Sequence, residues 1–203
     1  LVDLAATTTT RVVAVKAAAA LRDLFEQFTE VYELRADERA FLQDRIDAAA
    51  TAAPVFPLVF QHGDPGTWNL LANDAGQVVF LDWEAAEPTG MPLWDLFYFM
   101  RSFAVGCGRK RGVRDSLAAI GGEMLSDAPI GRMLANAVQR YRERTGLHAA
   151  LVEPLFHTCW MHRALKEATR LNRDRLARGH YLAMLRLGIA RRETPAMRRL
   201  FAG

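Results

Sequence analysis

The sequence predicts an α+β protein that is mostly helical, with one small β-hairpin near the middle of the chain. Apolar residues recur at helical spacing before residue 54 and again beyond residue 103. The stretch 54–103 instead contains short β-rich runs separated by glycine, proline and asparagine. With 203 residues and 51% hydrophobic content, the chain is long enough to bury one substantial core.

Two helices are predicted in the first 53 residues. The first is indicated by apolar residues at 3.6-residue spacing: Leu21, Leu24, Phe25, Phe28, Val31 and Tyr32. The second begins at about Asp37 and ends before Pro54. Beyond residue 103, a glycine-containing basic loop is expected at 106–114, followed by helices of which the last ends before Pro195.

The stretch 54–103 predicts a strand, a tight loop and a hairpin, followed from Trp94 to Phe103 by a buried core helix that is apolar on nearly all sides. Residues 55–60 form the strand, and the loop 63–68 carries two glycines and a proline, which allow a bent backbone. The sequence Asn-Asp-Ala-Gly at 73–76 is typical of a turn, so the apolar runs on either side should pair. A three-residue and a four-residue turn both fit, and they differ in the face on which Asp82 lies.

Three polar side chains should meet at the open end of this hairpin. Asn69 follows Asp64 by five residues, and Asp82 follows Asn69 by thirteen. Amide and carboxylate oxygens suit Mg²⁺, which is usually shared with substrate phosphates. A carboxylate that the metal does not need can accept a proton from a hydroxyl group. Each short motif alone is commonly a turn or a strand end, so the prediction depends on their joint occurrence.

This pattern resembles the catalytic loop and metal-binding aspartate of protein kinases, in which Asp-x4-Asn is followed by a hairpin and Asp. It is more similar to the aminoglycoside phosphotransferase and choline kinase-like family. The residues that carry this resemblance are His62-Gly63-Asp64, Asn69, the Leu-Asp-Trp-Glu of 81–84, Gly90 and Asp95. They cover about the middle quarter of the chain.

The resemblance implies a role for each of five residues. Asp64 would be the catalytic base that receives or orients the substrate hydroxyl. Asn69 and Asp82 would hold Mg²⁺ against the phosphates of ATP. His62 would brace the loop, a structural role that we favour over a chemical one, and Asp95 would tie the following helix to it.

The sequence departs from protein kinases at two places. Trp83-Glu84 replaces the Phe-Gly that follows the metal aspartate, so activation-loop switching is not implied. Glu84 is either a further metal or substrate ligand or, as we favour, a solvated loop carboxylate. Residues 65–68 also lack the lysine usual in protein kinases, which favours a small-molecule substrate.

The resemblance further implies that residues 1–203 form the large C-terminal lobe of a kinase-like phosphotransferase, with 1–53 as a helical lead-in and 54–103 as the catalytic core. Kinases cover ATP with a glycine-rich loop, but residues 1–62 contain no glycine. The Val-Ala-Val-Lys of 13–16 resembles the strand that bears the ATP-binding lysine, but Lys16 is too close in sequence to His62. We therefore expect the nucleotide-covering lobe to lie upstream, outside this sequence.

Charge and composition limit the classes of molecule that the chain is expected to bind. From residue 160 to 203, Arg and Lys exceed Asp and Glu by eight, although the whole chain is only +3. Such a region would repel a cationic aminoglycoside, so a neutral or anionic hydroxylated metabolite is favoured unless these arginines face solvent. Nucleic-acid binding is disfavoured because no recognised module accompanies the charge. Two cysteines are too few for a disulfide framework, which suggests a reducing cytoplasm. The longest charge-free stretch is interrupted by prolines, which argues against a membrane-spanning helix.

The sequence therefore predicts an ATP- and Mg²⁺-dependent enzyme that transfers the γ-phosphoryl group to a hydroxyl of a small molecule of the aminoglycoside, choline or sugar type. Two alternatives stay open. One is a pseudo-kinase or binding lobe without turnover, and the other is a metal-dependent hydrolase that uses the same aspartates. The oligomeric state is not indicated by the sequence.

Overall fold

The computed structural model describes residues 1–202, which divide into two compact units. One unit contains residues 1–10 and 57–147, and the other contains residues 11–56 and 148–202. Within the described residues, no helix combines the length and apolar character that crossing a membrane requires. All the residues predicted to carry chemistry lie in the first unit.

The predicted class, α+β and mostly helical, is confirmed. The helices are α1 (Val2–Thr8), α2 (Ala14–Val31), α3 (Ala36–Ala49), α4 (Trp94–Lys110), α5 (Ser116–Ala119), α6 (Pro129–Thr145), α7 (Val152–Ala168), α8 (His180–Arg191) and α9 (Pro195–Ala202). The strands are β1 (Thr10–Val13), β2 (Val55–Gln61), β3 (Leu70–Ala72), β4 (Val78–Phe80) and β5 (Glu87–Gly90). Short 3₁₀ turns cover Thr67–Asn69, Ala149–Leu151 and Arg173–Arg178, and a π-helical turn covers Ile120–Met124.

The first unit is built around α4, which is apolar on nearly all sides. Leu96, Phe97 and Met100 are buried, as expected for a helix whose apolar residues are not confined to one stripe. The helix packs against α5, α6 and the π-helical turn. Its N-terminus lies beside the loop that follows β2, so the core helix also positions the candidate site.

The β3-β4 hairpin has the predicted turn, and the structure decides its register. Leu70 pairs with Phe80 and Ala72 pairs with Val78. The Asn73 N–H donates to the Gln77 carbonyl oxygen, which leaves a three-residue turn. Gly76 ends that turn at φ 75°, a backbone conformation that glycine adopts without strain.

Strand β2, whose residues 57–61 belong to the first unit, delivers the chain to the candidate site. It pairs antiparallel with β5, with Val59 opposite Gly90 and Gln61 opposite Glu87. The buried Gln61 side chain donates from Nε2 to the Met91 carbonyl oxygen at 2.6 Å. These contacts hold the end of β2, from which His62 follows directly.

The second unit consists mainly of α2, α3, α7 and α8. Helix α7 is buried on almost every side, and the Tyr32 hydroxyl at the end of α2 donates to the carbonyl oxygen of Ala164 at 2.8 Å. Lys16 lies exposed in α2 and not on a strand, so the resemblance of 13–16 to a lysine-bearing strand does not extend to its structure.

Two expectations for the C-terminal half were wrong. The basic stretch does not form a loop from residue 106, because α4 continues to Lys110 and places Arg109 and Lys110 in its last turn, where cations interact favourably with the helix dipole. The chain also does not stop being helical at Pro195, which instead begins α9. Proline fits the first turn of a helix because its missing N–H has no partner there.

Candidate active site

His62 connects the loop that carries Asp64 to the end of β4, which leads to Asp82. Its side chain is fully buried, and its Nε2 donates to the carbonyl oxygen of Leu81 at 2.8 Å. Its Nδ1 accepts a hydrogen bond from the Asp64 backbone N–H at 3.2 Å. Because both ring nitrogens are engaged by the backbone, the geometry favours the bracing role over a direct role in chemistry.

Gly63 lets the loop lie directly against the segment that follows β4. Its φ is 81°, and a Cβ built on it would lie 2.0 Å from the carbonyl oxygen of Ala85. Any side chain at this position would therefore collide with backbone. The close approach brings the chain around Asp64 against the chain that follows Asp82.

Asp95 holds the loop from the side of α4. From the first turn of the helix, its Oδ2 accepts the His62 N–H at 2.6 Å and its Oδ1 accepts the Gly63 N–H at 3.2 Å. A carboxylate is also favourable at a helix N-terminus. These hydrogen bonds link the first turn of α4 to the loop, and the supporting role that the resemblance implies for Asp95 stays a prediction.

Asn69 is oriented by Asp64. The Asn69 Nδ2 donates to the Asp64 carbonyl oxygen at 3.0 Å and lies 3.4 Å from Asp64 Oδ2. Within the described residues, the Asn69 Oδ1 has no hydrogen-bond donor. The amide therefore presents its oxygen away from Asp64, in the manner required of a cation ligand.

The register of the β3-β4 hairpin places Asp82 at the same end of the hairpin as Asn69. The Leu81 N–H donates to the Asn69 carbonyl oxygen at 2.9 Å, so Asp82 follows the residue that pairs with Asn69. Asp82 adopts φ 62°, a left-handed conformation that costs most non-glycine residues roughly 1–2 kcal/mol and that Asp adopts more readily than most. Its side chain is exposed, and no described residue donates to it.

The donor set of Asn69 and Asp82 suits Mg²⁺. It offers one amide oxygen and one carboxylate, and Mg²⁺ retains several waters and binds substrate phosphates in addition to one or two protein ligands. Across residues 1–202, no group of three or more His, Cys, Asp and Glu side chains is arranged to hold a metal. The proposed pair lies outside that description because it has only two members, one of which is an asparagine.

Trp83 and Glu84 follow Asp82 on the same exposed loop. The Trp83 indole N–H donates to the Phe80 carbonyl oxygen at 2.9 Å, and its ring covers His62 with a centroid separation of 4.4 Å. Glu84 is exposed to solvent. This exposed position is compatible both with a metal or substrate ligand and with a solvated loop carboxylate. The assignment of Glu84 as a solvated loop carboxylate therefore stays a prediction.

Ser102 was missed by sequence reasoning. It is 4% exposed on α4, and its Oγ accepts the Thr67 N–H at 3.0 Å while donating to the Phe99 carbonyl oxygen at 2.8 Å. It therefore holds the first residue of the 3₁₀ turn Thr67–Asn69, which ends at Asn69. The signal in the sequence was a single small polar residue within an apolar helix, which does not reveal its partner.

Comparison with known proteins found one family profile and similar solved structures. The profile described as the phosphotransferase enzyme family, APH, matches residues 6–119. A solved structure of a choline/ethanolamine kinase family protein from Mesorhizobium loti is similar, with 20% identity and a TM-score of 0.43. The match covers 90% of this chain and 56% of that protein, so this chain spans little more than half its length. No curated protein matches the chain. The family profile covers more than half of the chain, which therefore belongs to the phosphotransferase enzyme family.

Proposed function

We propose that this chain is the large lobe of a cytoplasmic phosphotransferase that uses ATP and Mg²⁺ to phosphorylate a hydroxyl of a small molecule. The observation that carries the proposal is the link from Asp64 through Asn69 to Leu81 and Asp82. The Asn69 side chain bonds Asp64, and its backbone carbonyl accepts the Leu81 N–H. A proton acceptor, an amide oxygen and a second carboxylate thus share one end of the hairpin.

In this proposal Asp64 receives or orients the proton of the acceptor hydroxyl. The Asn69 amide, turned by its bond to Asp64, presents Oδ1 to the cation, and Asp82 presents its carboxylate. Bound Mg²⁺ would neutralise charge on the phosphates of ATP. The chain itself contributes mostly positioning, because phosphoryl transfer requires little covalent chemistry from the protein.

Three supporting residues, His62, Gly63 and Asp95, hold the segments that carry Asp64 and Asp82 in position. His62 fixes the carbonyl oxygen immediately before Asp82, and Asp95 fixes the backbone immediately before Asp64. Gly63 allows the two segments to approach. A rigid arrangement of this kind reduces the reorganisation needed at the moment of reaction.

An upstream lobe that covers the nucleotide is part of the proposal. Residues 1–62 contain no glycine, and Lys16 is in a helix. The hairpin also exposes large apolar side chains on its strands, with Leu71, Val78 and Val79 each between 51% and 58% exposed. Exposed apolar groups clustered in this way are typical of surfaces that contact another molecule or segment.

For the acceptor, we propose a neutral or anionic hydroxylated metabolite. The excess of eight positive charges in residues 160–203 is the basis for this choice over a cationic aminoglycoside. Six of the ten arginines in this region face solvent in the structure, so the choice rests on the net charge of the region and not on a contact with the site. Turnover with a panel of sugars, alcohols, choline and aminoglycosides would identify the class.

The test is ATP consumption with and without Mg²⁺, measured on this chain extended by the upstream region of its natural protein. We expect turnover that requires both Mg²⁺ and an acceptor, and a strong loss in Asp82→Asn. Asp74→Asn, in the exposed hairpin turn, is the matched control. ATP binding without turnover would instead indicate a pseudo-kinase, and hydrolysis of phosphate esters without ATP would indicate a hydrolase.

A further inference from the structure

A cavity of about 400 Å³ lies entirely within the second unit. It is lined by the link between α2 and α3, by the 3₁₀ turn Arg173–Arg178 and by α8. Its size is at the lower end of the range for small-molecule pockets, roughly 300–1,000 Å³. Three arginines reach it, together with an apolar wall that includes Leu34 and Leu182.

Two of the three arginines are already paired with carboxylates of the chain. The Glu38 carboxylate is buried, and Arg186 Nε lies 3.1 Å from its Oε1. Arg35 Nη2 lies 3.2 Å from the same oxygen, and Arg35 Nε lies 3.5 Å from Asp37 Oδ1. These acids offset the charges of Arg35 and Arg186 and hold both side chains at the wall of the cavity.

Arg173 differs from the other two. It is exposed at the mouth of the cavity, and it has no side-chain hydrogen bond or ion pair with any residue in 1–202. Glu33 also lines the cavity, and its backbone carbonyl oxygen accepts a hydrogen bond from Arg186 Nη2 at 3.2 Å. The cavity therefore combines one uncommitted guanidinium with an apolar wall, in which Leu34 is 9% exposed and Leu182 is 2% exposed.

We propose that this cavity binds a small carboxylate with an apolar body. A guanidinium presents two parallel N–H donors that match a carboxylate, and the apolar wall provides contact for the rest of the molecule. A phosphate monoester is less suitable, because it carries about −1.5 to −2 charges at pH 7, and among the described residues Arg173 is the one lining arginine without a carboxylate partner. The proposal does not depend on the phosphotransferase assignment.

The test uses the 203-residue chain and ¹H–¹⁵N NMR titrations at constant ionic strength. The probe is benzoate, and the comparison probes are benzyl alcohol, acetate and inorganic phosphate. We expect benzoate to shift the amide signals of Glu33, Leu34 and Ala177 in a saturable manner. Benzyl alcohol lacks the charge and acetate lacks the body, so both should bind more weakly.

Two variants and one control locate the site. Arg173→Gln should weaken benzoate binding at least about tenfold, which is typical of losing a hydrogen bond between charged groups. Ala177→Asp places a carboxylate in the lining and should also weaken binding. Arg175→Gln changes an exposed arginine in the same 3₁₀ turn that does not line the cavity, and it should leave the affinity unchanged.

Three outcomes would overturn the proposal. The first is the absence of saturable shifts around the cavity. The second is equal benzoate affinity in the unmodified chain and in Arg173→Gln. The third is inorganic phosphate binding as tightly as benzoate, because a cavity with a single unpaired arginine should favour the singly charged carboxylate. None of these readouts involves ATP, so a failure here is distinct from a failure of the proposed catalytic function.

Discussion

The Nε2 of His62 lies 2.8 Å from the carbonyl oxygen of Leu81, so the residue two before Asp64 holds the residue immediately before Asp82. One buried imidazole thereby couples the loop after β2 to the end of β4. The catalytic groups of the proposed site are thus connected through backbone contacts as well as through their own side chains. The predictions below test these connections separately.

Gly63→Ala should destabilise the protein more than Gly76→Ala. Both glycines have positive φ, so both substitutions add the strain of a left-handed backbone, about 1–2 kcal/mol. Only Gly63 would also bring its Cβ to 2.0 Å from the Ala85 oxygen, whereas Gly76 has open space around it. Urea unfolding should show an additional loss of about 1–3 kcal/mol for Gly63→Ala. Equal losses in the two variants would contradict the proposed close approach.

Asp95→Ala should lower the free energy of unfolding by about 1–3 kcal/mol, because the His62 and Gly63 amides lose the carboxylate that accepts from them. Asp95→Asn retains one acceptor oxygen and should lose less. Denaturant titrations of the two variants measure the difference. If Asp95→Asn were as destabilised as Asp95→Ala, the two hydrogen bonds would not account for the role of this residue.

Asp64→Asn should reduce kcat at least about 10²-fold, as the loss of a general base typically does. The amide retains an oxygen that can accept from Asn69, so the free energy of unfolding should change little. The assay is phosphoryl transfer by the chain extended upstream, with Asp74→Asn as the surface control. Near-normal turnover by Asp64→Asn would show that this carboxylate is not the base.

His157→Phe should make stability less sensitive to acid. Burial, reinforced by the charges of Arg192 and Arg45, lowers the pKa of His157 from 6.5 to about 3. Below pH 6.5 the unfolded chain binds a proton that the folded chain excludes, so stability falls as pH falls, by up to about 1.4 kcal/mol per pH unit. At pH values above 6.5 this residue contributes no dependence on pH.

The measurement is urea unfolding between pH 7 and pH 5. The phenylalanine can keep the edge contacts with Phe41 and Phe156 while removing the titrating group. His162 also has its pKa lowered to about 3, mainly by burial, so part of the acid sensitivity should persist in His157→Phe. His148→Phe changes an exposed histidine and serves as the control. An unchanged pH slope in His157→Phe would exclude this residue as a source of acid sensitivity.

The hairpin shows how far local sequence reasoning extended. The turn residues 73–76 and the apolar runs beside them predicted β3 and β4 correctly, because hairpin pairing depends on a few adjacent residues. The same reasoning left two registers open. The Asn73–Gln77 hydrogen bond and the positive φ of Gly76 decide between them, and both are visible only in the folded chain.

The basic C-terminal region shows the opposite case. The surplus of arginine was evident from the sequence, but which of these residues face solvent was not. The structure brings Arg35, Arg173 and Arg186 to one cavity and gives carboxylate partners to two of them. These residues come from separate parts of the chain, and no local spacing relates them.

The sequence by itself determined the family resemblance, the helical character of the chain and the identity of the residues that carry the proposed chemistry. These features follow from short-range patterns: 3.6-residue periodicity, turn residues, and the spacing of Asp64, Asn69 and Asp82. Only the tertiary structure decided the contact of Gly63 with Ala85, the support of Thr67 by Ser102 and the isolation of Arg173. Such contacts depend on how separate elements pack, and packing is settled by shape and burial over the whole unit.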